Sequence, residues 1–189
     1  MSDFVDELIS KVSRLRKHAS FWLWPNKHEV ERGVVQELLN SMRRDGDLRY
    51  RNARSVADDW PDCEVDDEHG NTVGVEVTEL ADEEAVRKGQ RNEMDFSRWT
   101  DDQIKDQLSR ILVRKNLKSS HGGLYCKVIL VIHTDEFTRL RLFPVIRETE
   151  FMRLENIQEA FIVASYDPET QTYPWYEIRF ADREETESQ

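Results

Sequence analysis

Residues 126–133, Cys-Lys-Val-Ile-Leu-Val-Ile-His, constrain this 189-residue chain more than any other stretch. In a sequence in which 34% of residues are charged, so unbroken a run of Val, Ile and Leu is satisfied by burial on both faces. The β-branched side chains favour a strand over a helix. The run therefore predicts a central strand, and a strand covered on two sides requires further layers above and below it. The length supports one sizeable core, so the expectation is a single α/β domain over residues 1–180 and an acidic, disordered tail at 181–189.

Covering helices can be read from periodicity. Residues 3–17 place Phe4, Val5, Leu8, Ile9, Val12 and Leu15 at helical spacing, predicting an amphipathic first helix packed on the domain. After Phe21, Trp22, Trp24 and Pro25, Asn26 is a good N-cap, and Glu29 three residues on completes a capping-box-like pair. The helix so opened should run to about Arg44, with Val30, Val34, Val35, Leu38 and Met42 inward. A second capping box, Thr100 with Gln103, opens a long helix whose inward stripe is Ile104, Leu108, Ile111 and Leu112. Residues 138–157 read as helical in parts, interrupted by Pro144. The charged stretch 81–97 has no convincing period and reads as a loop or loose helix over the sheet.

Strand signals fill the remainder. Residues 72–80 alternate, Val73, Val75 and Val77 facing one way and Gly74, Glu76 and Thr78 the other. Residues 62–65 also alternate, and Asp66 to Asn71 between them is a turn by composition, so the two strands should pair as an antiparallel hairpin. That pairing brings Asp62 and Glu76 onto neighbouring strands. Residues 48–56 allow a short polar strand of no firm period, and further strands are expected at 160–165 and 175–180. Together these predict an α/β sandwich with a mixed central β-sheet flanked by helices.

Certain charged residues fall on inward faces. Glu31 lies three, four and seven residues before Val34, Val35 and Leu38, which aims its carboxylate at the core side unless it sits at the stripe's edge and pairs with an arginine. Glu37 lies near the other edge. On the long helix, about 100° per residue puts Lys115 in the middle of the apolar stripe and Lys118 near one edge. An inward lysine either meets a charge or snorkels its ammonium back to water.

The order of these parts is a helix with Glu31, a strand opening with Pro61-Asp62, thirteen residues, a strand with Glu76-Val77-Thr78, and a helix with Lys115. It resembles the PD-(D/E)XK nuclease superfamily, the restriction-endonuclease-like fold, over residues 31–133. The resemblance implies a Mg²⁺ or Mn²⁺ ion held by Asp62, Glu76 and the carbonyl of Val77, with Glu31 joining through a water. It implies hydrolysis of phosphodiester bonds in DNA or RNA, with Asp62, Glu76, Lys115 and Glu31 catalytic. Hard cations do prefer such oxygen ligands and activate a bound water. The chain departs from the family at Thr78, where the motif carries its lysine; Lys115 or Lys118 on the neighbouring helix is the candidate substitute. The Gln-x-x-x-Tyr pattern of the RecB-like branch is also missing, since Ile111 follows Gln107 by four.

A net charge of -11 and a pI near 5.0 oppose a large nucleic-acid-coating surface but leave room for a small cationic groove. They also suit the alternative of a catalytically inactive nuclease-like fold whose acidic surface meets a basic protein. Two cysteines, Cys63 and Cys126, indicate neither a disulfide framework nor a structural zinc site. With no signal-like or membrane-spanning stretch, a cytoplasmic protein without membrane contact is expected. His133 at the end of the central strand reads as structural rather than catalytic, because no nucleophile elbow or phosphate loop accompanies it. Cys126 reads as an inert strand residue, and the scattered tryptophans as packing groups.

Overall fold

The structure is a computed structural model that describes residues 26–57, 60–81, 99–119, 124–134, 139–167 and 170–182. The expected helix at 3–17, the aromatic cluster after it, residues 82–97 and the end of the tail lie outside the described residues. Helix α1 (Lys27–Arg44) is followed by strands β1 (Tyr50–Ser55), β2 (Cys63–Asp67) and β3 (Thr72–Glu79). Helix α2 (Asp101–Lys118), strand β4 (Val128–Thr134), helix α3 (Arg139–Glu148) and strands β5 (Glu150–Phe151), β6 (Glu159–Ala164), β7 (Trp175–Glu177) and β8 (Arg179–Phe180) complete the order.

Six strands form one mixed sheet in the order β1-β2-β3-β4-β6-β7. The β1–β2, β2–β3 and β6–β7 pairs are antiparallel, whereas β3–β4 and β4–β6 are parallel. The apolar run supplies β4, which lies inside the sheet and buries side chains on both faces. The strand begins two residues later than expected, at Val128, and leaves Cys126 exposed rather than buried. The hairpin is present in the register Cys63–Val75 and Val65–Val73.

The alternation along β3 divides the core in two. Val73, Val75 and Val77 pack with Cys63, Val65, Ile129 and Val131 against Val35, Leu38, Leu39 and Met42 of α1. On the opposite face Leu130 and Ile132 pack with Leu80 against Ile104, Leu108, Ile111 and Leu112 of α2 and Leu142 and Ile146 of α3. Each such side chain removed from water contributes roughly 1.5–3 kcal/mol before entropy is counted. The α/β sandwich with a mixed central sheet and helices on both faces is therefore the architecture of the described residues.

Several details depart from the sequence reading for local reasons. Residues 50–55 form a strand without a period because Asn52 has φ 60° and the β1–β2 register shifts between Arg51 and Arg54. Pro144 lies inside α3 and does not interrupt it. The last expected strand is two: β7 joins the main sheet, and β8 pairs in parallel with β5 in a separate two-stranded sheet. In the turn after β2, Asp67 accepts hydrogen bonds from the N–H groups of His69 and Asn71, and Gly70 takes φ 85°. This Asx-type arrangement closes the hairpin. Arg49 ties distant strands together, meeting Asp47, Glu159 and Glu177 at 2.8, 3.1 and 2.7 Å. Among the described residues no helix is long and apolar enough to cross a membrane.

Candidate active site

Unequal strand lengths create the site. The last β2–β3 pair is Cys63–Val75, while β3 continues to Glu79. The main-chain groups of Val77, two residues past that pair, are taken up by side chains instead. Its N–H donates to Asp62 Oδ2 at 2.8 Å, and its carbonyl accepts from Lys115 Nζ at 2.9 Å. Buried peptide groups need partners, so these two contacts hold Asp62 and Lys115 where they are.

Glu76 points from β3 to the α2 side, on the face opposite to Val75 and Val77. Lys115 comes from α2, eleven, seven, four and three residues after the four buried stripe residues, and so continues the same face. Its ammonium meets Glu76 Oε2 at 2.6 Å and stands 3.7 Å from Asp62 Oδ2. The inward projection of Lys115 is thus what the structure has, and the ammonium ends on a carboxylate rather than in water. Lys118 is exposed. Thr78, at the motif's lysine position, is buried. Burial pushes the Glu76 carboxyl above its ordinary range, and the Lys115 charge opposes that rise.

Glu31 enters from α1. The helix starts as expected, with Asn26 accepting the Glu29 N–H, but the Glu29 carboxylate pairs with Arg32 at 2.8 Å. Only half of a capping box forms. One turn on, Glu31 is 1% exposed. Lys27 Nζ lies 3.0 Å from Glu31 Oε1 and 3.5 Å from Asp62 Oδ1, which links the α1 glutamate to the hairpin aspartate. Glu31 Oε2 is buried with no hydrogen-bond partner among the described residues; His28 Nδ1 stands 4.0 Å away. Burial and the nearby Asp62 charge raise the Glu31 carboxyl to about 7, against the pull of Lys27. Burial alone would lower the Lys27 ammonium, but Glu31 and Asp62 outweigh it and raise it. Glu37 makes no described contact with the group; burial and, second to it, the Glu37 charge raise the Tyr173 phenol.

Asp62, Glu76, Val77, Lys115 and Glu31 are therefore brought into one connected group. Lys27 is a further member that the sequence reading did not name. Its signal was the four-residue spacing to Glu31, which places both on one face of a helix. The two lysines differ in access: the Lys27 side chain is 53% exposed and that of Lys115 13%. Beside the group stands an aromatic wall. Tyr125 donates to Glu64 at 2.7 Å, lies edge-on to Trp60 at 5.6 Å between centroids, and covers Gly74, where a Cβ would come within 3.2 Å of its ring. Trp99 lies in the core and Trp175 packs on Phe161, so the described tryptophans do serve packing.

Among the described residues no three histidine, cysteine, aspartate or glutamate side chains form a metal cage by themselves. The donor set is instead two carboxylates and a main-chain carbonyl, Glu76 Oε2, Asp62 Oδ2 and Val77 O, all around the Lys115 ammonium. These hard, oxygen-only donors fit Mg²⁺ or Mn²⁺, which complete their shells with water. The unsatisfied Glu31 Oε2 suits a water in such a shell. The comparisons with known proteins add nothing to this: no family model, curated protein or solved structure matches the chain.

Proposed function

We propose that the chain is a divalent-metal-dependent nuclease of restriction-endonuclease-like architecture, hydrolysing phosphodiester bonds of DNA or RNA. The observation that carries this reading is the convergence of Asp62, Glu76 and the Val77 carbonyl on one point, with a lysine delivered there from α2. Asp62, Glu76 and Val77 O would hold Mg²⁺ or Mn²⁺. When bound, such an ion supplies an activated water and neutralises charge on a phosphoryl oxygen. Glu31 would hold a water of the shell and accept a proton from it. Its carboxyl, held near 7, is suited to exchange protons at neutral pH. Lys115, moved off the metal's own oxygens, would take the part of the motif lysine missing at Thr78, offering its positive charge to the negative charge that develops on the phosphoryl oxygens in the transition state.

The test is cleavage of labelled DNA and RNA oligonucleotides with Mg²⁺ or Mn²⁺. Activity should vanish in EDTA, and Asp62→Asn and Glu76→Gln should each lower it at least about a hundredfold with the fold retained. Full activity in both variants overturns the proposal. One observation favours a second reading, a catalytically inactive module that binds a basic protein: the two lysines already neutralise much of the acidic group. Calorimetric titration with Mg²⁺ and Mn²⁺ separates the two, since binding at millimolar concentration belongs to the nuclease alone.

A further inference from the structure

Lys115 sits where the metal reading needs the ion to sit. Its Nζ has Glu76 Oε2 at 2.6 Å, Val77 O at 2.9 Å and Asp62 Oδ2 at 3.7 Å, which are the three atoms that would coordinate a divalent cation. An ammonium has three N–H donors and no acceptor, so it suits the same oxygen set as a hard cation. The two cannot share it, because a second positive centre inside one coordination shell is strongly repelled at low local dielectric.

We propose that Lys115 and the divalent cation compete for a single seat. Lys115 is the resident counter-ion of Asp62 and Glu76, and it yields its place when metal is bound. The inference rests on the metal-dependent reading of the site. A lysine is suited to this role, as a compact charge on a four-carbon stem with many rotamers, whereas the planar arginine fork is built for a fixed bidentate partner. Position on α2 allows it: Lys115 lies in the last turn, four residues before the C-cap at Ser119 and past Leu112, the last buried apolar residue of the helix, and its side chain keeps 13% exposure. Thr78 acquires a consequence as well. With no lysine on β3, the only ammonium in contact with Glu76 among the described residues is one that must leave for metal to enter. Lys27 differs, since it meets Asp62 through the other oxygen, Oδ1, and touches neither Glu76 nor Val77 in any contact described.

The experiment is calorimetric binding of Mn²⁺ to the full chain, comparing wild type, Lys115→Met and Lys27→Met. Methionine keeps most of the stem and removes the charge. Competition predicts that Lys115→Met binds Mn²⁺ at least about tenfold more tightly than wild type, while Lys27→Met changes affinity by less than about threefold. If Lys115 merely positions Glu76, Lys115→Met binds more weakly, and that result overturns the inference while leaving the metal reading intact. An equal gain from Lys27→Met also overturns it, because loss of any nearby charge then explains the effect. If no chain binds Mn²⁺, the metal reading fails and the inference with it. Should Lys115→Met not fold, acetylation of wild type, read residue by residue by mass spectrometry, decides the matter. Lys115 should react slowly in EDTA and several-fold faster with saturating Mg²⁺; an unchanged or slower rate refutes displacement.

Discussion

Replacing Glu31 by glutamine should make the chain more stable in base than in acid relative to wild type. Glu31 is 1% exposed, and its carboxyl rises from 4.5 to about 7 on folding, chiefly through burial and secondly through the Asp62 charge. A carboxyl with a raised folded pKa binds more protons folded than unfolded. Its contribution to stability is therefore full below pH 4.5, falls as pH increases, and is lost once pH has passed about 7. At 1.36 kcal/mol per decade, the interval amounts to about 3 kcal/mol. Glutamine keeps the shape and does not titrate. The stability gap, Glu31→Gln minus wild type, should thus grow by about 3 kcal/mol between about pH 4 and about pH 8.5. With a urea slope of about 2 kcal/mol per molar, the midpoints should separate by a further 1.5 M or so. Urea unfolding in EDTA, followed by tryptophan fluorescence at several pH values, measures this. A gap that stays constant with pH would falsify the account of Glu31 as a proton-holding buried acid.

The other predictions concern packing and thiol access, beside the cleavage and Mn²⁺ tests already given. Gly74→Ala sets a Cβ 3.2 and 3.3 Å from Tyr125 ring atoms and 3.5 Å from Pro61. It should cost about 1–3 kcal/mol, a fall in Tm of roughly 3–10 °C in thermal unfolding; an unchanged Tm means that the ring yields freely. Cys126 is exposed, whereas burial pushes the Cys63 thiol up to about 12. Iodoacetamide under native conditions should therefore alkylate Cys126 and spare Cys63, as read by peptide mass spectrometry, and modification of both at equal rates contradicts the burial of β2.

Periodicity made much of this legible, and its failures have physical causes. The α2 stripe of Ile104, Leu108, Ile111 and Leu112 is the buried set of that helix, and the same phase brought Lys115 inward, because one angle per residue governs both. Hairpin register likewise put Asp62 next to Glu76, since side chains repeat every two residues. Lys27 is harder to read: it shares the helix face of Glu31 four residues on, but a lysine on the first turn of α1, ahead of the apolar stripe, reads equally as a solvated charge. Cys126 was misplaced because an apolar run carries no marker for where a neighbouring strand begins to cover it; pairing with β3 starts only at Val128. Residues 50–55 gave no period because a left-handed Asn52 breaks the alternation. That Lys115 would close on the carboxylates depends on where β2 stops, which is a property of the sheet and of no single segment.

The Asp62–Val77 contact means that the hairpin's final rung is made by a side chain. Its two oxygens answer to different masters, Oδ2 to a peptide of β3 and Oδ1 to a half-exposed lysine. The orientation of this carboxylate is thereby set by the main chain of β3, and chemistry at the site is written into strand pairing. One amide proton, that of Val77, becomes a natural reporter: its exchange rate and chemical shift should register any event that recruits Asp62, before a single bond of the regular ladder has opened.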